Sequence, residues 1–210
     1  MENQNIKFRN ATLKDAKQIL KIYKYYVEKT AISFEWNVPS LKEFKLRMKN
    51  TMKKFPYIVA VQSEKILGYS YVSAFKERKA YDWALETTIY LDSSERHHGV
   101  GKRLYFVMEE ICKRMNILNL NACIGFPKKD DEFLTKNSAQ FHEHLGYKLV
   151  GEFHDCGYKF GRWYNMVWME KMLSEHSKNP QKVLNYNEIK NNLNDILTDW
   201  VFAKIELKLE

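Results

Sequence analysis

The chain lacks the features that mark a secreted or membrane-bound protein. Its first residues, MENQNIKFRNA, contain no apolar core of the kind that a signal peptide needs, and no later apolar run approaches the length of a membrane span. Cys112, Cys123 and Cys156 are odd in number and form no CxxC pair. This usage favours reduced, mostly packed thiols over a disulfide framework or a zinc site. We therefore expect a cytoplasmic protein that holds no metal.

The chain also has no internal repeat and no low-complexity tract. Its 210 residues are 45% hydrophobic and 14% aromatic, which is enough to bury one sizeable core. Lysine and arginine number 34 against 26 acidic residues, and the net charge of +8 favours anionic ligands. Both signs of charge are mixed along the chain, so a basic surface is favoured over nucleic-acid binding, and we expect no nucleic-acid or membrane partner.

The pattern of apolar residues predicts strands and helices in mixed order. Alternating or β-branched runs predict strands, and apolar residues three and four apart predict helices. The predicted strands are 6–11, 57–62, 66–75, 83–92, 118–126, 147–153 and 162–171, and helices are predicted to begin near Thr12, Ser40, Gly99 and Lys136. This order predicts an α/β or α+β domain with helices packed on a central sheet.

Residues from about 174 onward differ in composition from the rest. The segment SEHSKNPQ is typical of a linker, and the spacing of the next apolar residues predicts one amphipathic helix from 186 to 201. The final KIELKLE alternates strictly, as a short half-buried strand does. We therefore divide the chain into one domain, 1–173, and a C-terminal extension, 174–210. The apolar stripe of the extension needs a partner, either the domain itself or a second subunit.

Two glycines, Gly99 and Gly101, follow a predicted strand and open a predicted helix. A Walker A loop would need glycine at Arg96 and Ser or Thr after Lys102, and a dinucleotide fingerprint would need glycine at Leu104, so both motifs are absent. The remaining pattern lets the backbone approach an anion while N–H groups of the first helical turn point at it. On spacing alone, a turn that only joins a strand to a helix is an equally good interpretation.

The spacing Arg96-x-x-Gly99-x-Gly101 resembles the acyl-CoA signature of the GNAT superfamily of N-acetyltransferases, whose loop binds the CoA pyrophosphate. The blocks AYDWALETTIYL, NACIGFP, SAQFHEHLGYKLVGEF and GYKFGRWYNMVWMEK are similar to the phosphinothricin and methionine sulfoximine acetyltransferase family, over residues 6 to about 173. The resemblance implies a GNAT-type mixed central sheet flanked by helices, a single domain, and acetyl-CoA as co-substrate. It implies CoA contacts from Arg96, His97, His98, Gly99, Val100, Gly101 and Lys102.

Acetyl transfer from a thioester to an amine requires a neutral amine. A carboxylate is a suitable acceptor for the proton that an alkyl amine carries near neutral pH. Glu86 is the best candidate for this general base, because it is the charged residue of the otherwise apolar or weakly polar strand WALETTIYL. Alternation along the strand places it on the face opposite Leu85, Thr87 and Ile89. A structural salt bridge or an outward-facing glutamate is the alternative.

His142, in FHEHLGY, is the second catalytic candidate. Many GNAT enzymes carry tyrosine at this place, near the CoA sulfur, where it acts as the acid for the leaving thiolate, and the resemblance implies that histidine takes that part here. Histidine titrates near neutral pH, so it is chemically adequate. A histidine that only packs or hydrogen-bonds is an equally good interpretation, and His144 cannot share its helical face.

The resemblance implies further contacts to CoA. The strand before the glycine loop offers backbone groups of Ile89, Tyr90 and Leu91 to the pantetheine arm and the thioester, and one of its N–H groups is suited to stabilise the oxyanion. Asn137 is implied as a CoA contact at the start of the next helix. Thr135 is the alternative, because the preceding loop is longer than in the shorter family members.

The resemblance also implies an amino acid analogue beside the catalytic strand, between the loop before that strand and the loop that joins the first two helices. Lys76 or Arg78 is suited to pair with a substrate carboxylate or phosphinate, although solvated basic residues at a strand end are an equally good interpretation. The full predicted substrate set is Phe34, Lys76, Arg78, Lys79, Tyr81, Thr87 and Thr88.

Three functions remain open from the sequence. We favour an acetyl-CoA-dependent N-acetyltransferase that acts by direct attack, with Glu86 as general base, on a small amino acid or analogue of the phosphinothricin, methionine sulfoximine or methionine sulfone type. The rivals are an N-acetyltransferase for a polyamine, an antibiotic or a protein N-terminus, and a non-catalytic acyl-CoA-binding sensor. The family resemblance also implies a homodimer.

Overall fold

Seven strands form the sheet of the computed structural model, which describes residues 6–95 and 99–197. All seven predicted strands are found, most of them within two residues of the predicted bounds. The exception is β6, which continues past an irregularity after Phe153 instead of ending there. The strands are β1 (Lys7–Asn10), β2 (Tyr57–Gln62), β3 (Lys65–Ala74), β4 (Ala84–Leu91), β5 (Asn119–Phe126), β6 (Lys148–Lys159) and β7 (Arg162–Met172).

The four predicted helices of the domain are present. Ser40 caps α2 as predicted, because its hydroxyl accepts the Glu43 N–H at 3.2 Å. In α3 the apolar residues at three- and four-residue spacing are buried on one face. The helices are α1 (Ala16–Lys29), α2 (Leu41–Met52), α3 (Val100–Arg114) and α4 (Asn137–His144). Within the described part of the chain, no helix has the length and apolar character needed to cross a membrane.

The strands lie in the order β1-β2-β3-β4-β5-β7-β6. All neighbouring pairs are antiparallel except β4 and β5, which are parallel. Helix α3 connects these two strands, as a parallel pair requires a crossover. The expectation of a mixed central sheet flanked by helices in a single domain is therefore confirmed.

The sheet has a separate core on each face. One face packs against α3, and its core includes Leu104, Met108 and Ile111, which are fully buried. The other face packs against α1 and α2, and it is rich in tyrosine side chains such as Tyr57 and Tyr69. Because side chains alternate along each strand, successive residues of β3 and β4 contribute to opposite cores.

The three cysteines are free thiols, as predicted. Cys112 is buried, but Cys123 and Cys156 are exposed, so the prediction of mostly packed thiols is wrong for two of the three. Cys123 points away from the core on β5, and Cys156 lies in the irregular part of the edge strand β6, where burial is incomplete.

The C-terminal extension does not form the single helix that was predicted from 186 to 201. Its described part contains α5 (Tyr186–Ile189), a 3₁₀ turn (Lys190–Asn192) and α6 (Asn194–Leu197). Asn191, Asn192 and Asn194 interrupt the helix, because asparagine side chains compete for backbone hydrogen bonds. The end of the predicted helix and the predicted strand at 204–210 lie outside the described residues.

The domain itself supplies the partner for the described apolar residues of the extension. Tyr186, Leu193 and Ile196 belong to the core beside α3 and are at most 4% exposed. A hydrogen bond also holds the linker on the domain, because the side-chain indole N–H of Trp83 donates to the backbone carbonyl of Gln181 at 2.8 Å. The extension is thus part of the folded unit up to residue 197.

Shortening Leu193 to alanine is expected to lower the free energy of unfolding by about 2 to 5 kcal/mol, because it leaves a cavity in a core position. Asn191→Ala, two residues away at an exposed position, should change it by no more than about 0.5 kcal/mol. Urea unfolding measures both values. Equal stabilities for the two variants would mean that the extension does not pack on the domain.

Candidate active site

A cleft opens in the sheet where β4 and β5 separate. The two strands pair only between Ala84–Glu86 and Asn119–Asn121, although β4 continues to Leu91 and β5 to Phe126. The space between the separated ends has a volume of about 270 Å³, and residues from both strands, α3 and α4 line it. Backbone groups along these facing edges lack a strand partner within the described sheet, so they are available to an extended ligand.

Glu86 lies at the point where the pairing of β4 and β5 ends. Its half-buried side chain lines the cleft, on the same face of β4 as Thr88 and Tyr90. Burial raises the pKa of Glu86, and the nearby charge of Lys76 partly offsets the rise. Among the described residues, no hydrogen bond or ion pair holds the carboxylate. The geometry therefore gives a carboxylate whose proton affinity is raised and whose oxygens face the cleft.

His142 lies on α4 at the opposite wall of the same cleft, and its side chain is 4% exposed. Its Nδ1 lies 2.7 Å from the Ser138 carbonyl oxygen, which can only accept, so Nδ1 carries the proton. Nε2 lies 2.7 Å from the Tyr105 hydroxyl and accepts its hydrogen. Burial lowers the pKa of His142 to about 4, so the imidazole is neutral near pH 7.

The buried neutral imidazole predicts a specific acid sensitivity. The pKa of His142 is lowered from 6.5 to about 4 by folding, so the unfolded chain binds the extra proton between these values. Stability therefore falls as the pH drops from about 6.5 to about 4. Between pH 7 and pH 4.5 this one group should cost the native state about 2 to 3 kcal/mol.

Urea unfolding of the wild type and of His142→Asn at both pH values isolates this contribution, because all other titrating groups are shared. The wild type should lose more stability than the variant on acidification. Parallel losses in the two proteins would mean that the histidine is charged in the folded state.

The glycine loop meets the cleft at the start of α3. Gly99 has a left-handed backbone, with φ at +76°. A Cβ built there would meet no atom within 4 Å, so the space beside its Cα is open. Gly101 has a different role, because a Cβ there would lie 3.2 Å from Phe141 and 3.3 Å from Leu91. This second glycine allows α3 to pack closely on its neighbours. Val100 is buried and Lys102 is exposed, whereas Arg96, His97 and His98 lie outside the described residues.

The backbone of β4 beyond Glu86 borders the cleft in part. Ile89 and Tyr90 line it, as do Thr87 and Thr88. Leu91 does not, and its backbone has a partner on α1, since its carbonyl accepts the Tyr26 hydroxyl at 2.6 Å. On α4, Ser138 lines the cleft, while Asn137 is exposed at the first turn and its N–H donates to the Thr135 hydroxyl at 3.4 Å.

The loop between α1 and α2 closes the cleft from the side. Ile32 is part of its lining. The ring of Phe34 contacts Gly157 of β6, where a Cβ would come within 2.2 Å of it, and it also packs near Gly125 of β5. Lys159 fixes this loop, because its ammonium group donates to the carbonyl oxygens of Thr30 and Ser33 at 2.9 and 2.6 Å.

The basic residues of the β3–β4 connection are not all brought to the cleft. The Lys76 ammonium group lies over the Phe75 and Trp168 rings, 5.1 and 5.8 Å from their centroids, near enough to Glu86 to lower its pKa. Arg78 and Lys79 are exposed. Tyr81 packs edge-on against Phe75 and lines a separate cavity of about 480 Å³ together with Lys76. Among these residues, Lys76 is the one whose charge lowers the pKa of Glu86.

Tyr105 is a cleft residue that the sequence-based predictions did not single out. It follows Gly101 by four residues, so it lies on the same face of α3, and that spacing was the available signal. Tyr71 and Cys123 also line the cleft without having been singled out. Tyr71 lies opposite Thr88 in the β3–β4 register, which no local pattern specifies.

Described side chains of the His, Cys, Asp and Glu types form no group of three that is arranged to hold a metal ion. The sequence-based expectation of a metal-free site stays a prediction. Three features suit acetyl-CoA. They are an open cleft between two parallel strands, the open space beside Gly99 at the start of α3, and the polar side chains of Tyr105, Ser138 and His142 on the helical side of the cleft.

Comparison with known proteins places these features in a family. The family model described as Acetyltransferase (GNAT) domain matches residues 8–168. A phosphinothricin N-acetyltransferase of Alcaligenes faecalis is 30% identical over 161 residues, which cover 76% of this chain and 79% of that protein. An L-methionine sulfoximine/L-methionine sulfone acetyltransferase of Pseudomonas aeruginosa is 25% identical over 164 residues, 77% of this chain and 91% of the relative.

Among solved structures, a GNAT superfamily phosphinothricin acetyltransferase from Sinorhizobium meliloti, crystallised in complex with AcCoA, superimposes with a TM-score of 0.75. It is 28% identical, and the match covers 86% of this chain and 98% of that chain. The family match, the fold and the cleft agree, and they support acetyl-CoA as the co-substrate. The chain belongs to the GNAT family and is an acetyl-CoA-dependent N-acetyltransferase.

Proposed function

We propose that this enzyme transfers the acetyl group of acetyl-CoA to the amine of a small amino acid or amino acid analogue, with Glu86 as general base. The observation that carries the proposal is the position of Glu86. Its carboxylate lies where β4 and β5 separate, at the end of the cleft, and burial raises its pKa. Relatives named for phosphinothricin and for methionine sulfoximine and sulfone support a substrate of this size.

Glu86 takes the proton that the amine must lose. An ammonium group entering the cleft is attracted to the carboxylate and gives up a proton to it directly or through a water molecule. The raised pKa of Glu86 brings its basicity closer to that of the amine, which makes this transfer easier. The neutral amine then attacks the thioester carbonyl carbon, and the C–S bond breaks as the new C–N bond forms.

As the C–S bond breaks, the Tyr105 hydroxyl turns its single hydrogen from His142 Nε2 to the leaving sulfur. Burial raises the pKa of Tyr105, so its hydroxyl stays protonated. His142 acts as a positioning residue, because its neutral Nε2 holds that hydroxyl at the cleft wall. This assignment gives His142 a part in catalysis without requiring that it carry a charge, which differs from the role of titrating acid expected from the sequence.

Acetyl-CoA is held along the separated edge of β4 and at the glycine loop. Backbone groups of Ile89 and Tyr90 suit the pantetheine arm, and N–H groups of the first turn of α3 suit the pyrophosphate. Leu91, whose carbonyl is already bound by Tyr26, contributes less. Residues of the same predicted set are Arg96, His97, His98, Gly99, Val100, Gly101 and Lys102, with Asn137 at the start of α4 or Thr135 in the loop before it.

The amino acid lies between Glu86 and the loop that carries Phe34, with Thr87 and Thr88 beside it. Lys76 is the best placed cation for its carboxylate. Arg78, Lys79 and Tyr81 lie farther along the connection, so we assign them to the rim.

We also propose that the enzyme is a homodimer. β6 is an edge strand, and Leu149, Val150, Phe153 and Trp163 on β6 and β7 are each more than half exposed. Apolar side chains on an edge strand favour pairing with a second copy. Light scattering tests this, and the mass of one chain would contradict it.

The proposed function is tested by CoA thiol release from acetyl-CoA in the presence of single acceptors. Methionine sulfone, methionine sulfoximine, phosphinothricin, ordinary amino acids and polyamines are offered separately. Release with the amino acid analogues supports the proposal. Two results contradict it: CoA release with polyamines alone, and no CoA release with any of the acceptors from an enzyme that binds acetyl-CoA.

A further inference from the structure

A second cavity lies directly beside the cleft, on the α1–α2 side of the sheet. It has a volume of about 130 Å³ and shares Tyr71 and Tyr90 with the lining of the cleft. Five tyrosines line it, together with Phe44 and Met48 from α2 and the charged pair Glu35 and Arg47; they are Tyr23, Tyr57, Tyr69, Tyr71 and Tyr90.

The strand register brings four of these tyrosines together, and Tyr23 reaches the cavity from α1. Tyr57 of β2 lies opposite Tyr71 of β3, and Tyr71 lies opposite Thr88 of β4. One row further, Tyr69 lies opposite Tyr90. The rings of Tyr57, Tyr69 and Tyr71 stand parallel, with centroids 4.9 to 6.5 Å apart. All three extend from the same face of the sheet, and all three line the cavity.

Three of these hydroxyls have no hydrogen-bond partner within residues 6–95 and 99–197: those of Tyr57, Tyr69 and Tyr90. Tyr57 and Tyr69 are 4% and 1% exposed. Burial raises the pKa of each of the three well above its usual value, so they remain protonated donors. None of the three hydroxyls is fully enclosed by protein, so each can donate to a water molecule or to a ligand oxygen in the cavity.

The charges around the cavity disfavour an anion. Arg47 is the cation among the residues that line it, and two carboxylates, Glu35 and Glu43, already share its guanidinium group. Lys159, which acts electrostatically on Glu35, is committed to two loop carbonyl oxygens. A buried anionic group would find no uncommitted positive charge among these described groups, and burying it unpaired costs several kcal/mol.

The cavity is at the right distance from Glu86 to receive the far end of a short side chain. Glu86 precedes Thr88 by two residues on β4, so the Tyr71 row lies about 7 Å from the carboxylate row. Burial raises the pKa of Tyr71, and the charges of Glu86 and Glu35 add to the rise, so this phenol lies near both acids. Because Tyr71 and Tyr90 line both spaces, an amino acid with its amine at Glu86 can extend a short side chain towards the cavity.

We propose that the cavity is a specificity subsite whose tyrosine hydroxyls, led by those of Tyr57 and Tyr69, bind an uncharged, oxygen-bearing side-chain end of the acceptor amino acid and disfavour an anionic one. This inference rests on the proposed function, since it assumes that the amine lies at Glu86. Phenol O–H groups donate to the oxygens of the ligand, while Phe44 and Met48 contact its apolar part.

Methionine sulfone and phosphinothricin form a matched pair of probes. Each ends in a methyl group and two oxygens on a third-row atom, sulfur or phosphorus, but the phosphinate carries a negative charge and the sulfone does not. The wild type should show a kcat/KM for methionine sulfone about tenfold or more above that for phosphinothricin. The double variant Tyr57→Phe, Tyr69→Phe keeps both rings and should lose about tenfold or more in kcat/KM for the sulfone, mainly through KM.

The double variant should change kcat/KM for phosphinothricin by no more than about threefold. Its KM for acetyl-CoA should equal that of the wild type. Tyr25→Phe is the control, because Tyr25 lies on α1 away from the cavity and is 37% exposed. A preference for phosphinothricin or for cationic ornithine, or an unchanged kcat/KM for the sulfone in the double variant, overturns the subsite.

Calorimetric binding of methionine sulfone to the CoA-loaded enzyme separates this inference from the proposed function. Binding that the double variant weakens, without turnover, supports the subsite and contradicts the acetylation of this acceptor. Turnover of both analogues with equal efficiency, in wild type and double variant, supports the function and overturns the subsite. Absence of sulfone binding to the wild type overturns the subsite as well.

Discussion

Glu86→Gln is expected to lower kcat/KM for the amine by about 10²- to 10⁴-fold, the range that general base catalysis contributes. The amide has nearly the same shape as the carboxylate, but it cannot accept the proton of the attacking amine. Because no described side chain depends on Glu86 for a hydrogen bond, the replacement should not disturb the fold. Steady-state kinetics of CoA release measures the loss.

Affinity for acetyl-CoA is the matched control for this variant. Glu86 lies where β4 and β5 begin to separate, whereas the glycine loop lies at the start of α3. The dissociation constant of acetyl-CoA should therefore be the same in Glu86→Gln and in the wild type. A variant that retained most of its activity would remove Glu86 from the mechanism and move the proton to another acceptor.

The pH dependence of the same reaction is a second test of whether Glu86 is the general base. The base must be ionised, and burial raises its pKa. Activity of the wild type should consequently fall on acidification at a pH above the usual range for a glutamate, and it should rise towards higher pH as more carboxylates ionise. His142 should add no titration near pH 6.5, because its pKa in the folded state is about 4.

Tyr105→Phe is expected to lower kcat about 100-fold with little change in the KM for either substrate. The hydroxyl is the group that the geometry places beside His142 at the cleft wall, 2.7 Å from Nε2. Loss of one donor that acts on developing charge costs about this much in other enzymes. Pre-steady-state and steady-state release of CoA separates the chemical step from product release.

Tyr147→Phe is the matched control for this second variant. Tyr147 packs edge-on against both Tyr105 and His142, and its buried hydroxyl has no partner in the part of the chain that the structure describes. Its removal should leave kcat unchanged. If Tyr105→Phe kept the kcat of the wild type, as Tyr147→Phe should, the Tyr105 hydroxyl would have a structural role only. The leaving sulfur would then be protonated by water.

His142→Asn separates positioning from acid catalysis. If His142 only holds the Tyr105 hydroxyl, the variant should lose less activity than Tyr105→Phe, and the shape of its pH profile should match that of the wild type. An acid limb that disappears in the variant, near pH 6 to 7, would show that the histidine titrates during turnover.

The elements that position the site were predictable because their signals are local. Apolar residues at three- and four-residue spacing gave α3, and Ser40 marked the start of α2. Glu86 stood out for a similar reason, since a charged residue within an apolar strand is costly unless it is used. Its exposure to the cleft depends on β4 and β5 separating, a feature of long-range pairing that alternation does not encode.

The parts that could not be predicted depend on contacts between distant segments. The hydrogen bond between Tyr105 and His142 joins residues 37 apart, on two helices whose packing no periodicity specifies. The tyrosine-lined cavity requires the registers of β2, β3 and β4 together. The helix predicted for the extension was wrong because apolar spacing outweighed the asparagines between Ile189 and Ile196, which end short turns instead.

The charge state of His142 was also beyond the sequence. An ordinary histidine titrates near neutral pH, and the sequence offered no reason for a departure from that behaviour. The lowered pKa arises from burial between α3 and α4, which outweighs the opposing effect of the hydrogen bond to the Ser138 carbonyl. The position of this residue was therefore recognisable, while its chemistry follows from its surroundings.

The most direct test of the account is the mass of the product formed from isotopically labelled acetyl-CoA and methionine sulfone. We predict one labelled acetyl group on the amine of the amino acid, one free CoA thiol for each product molecule, and almost no product with Glu86→Gln. Enzyme that binds acetyl-CoA but yields no acetylated amino acid, or a Glu86→Gln variant that yields as much as the wild type, would contradict it.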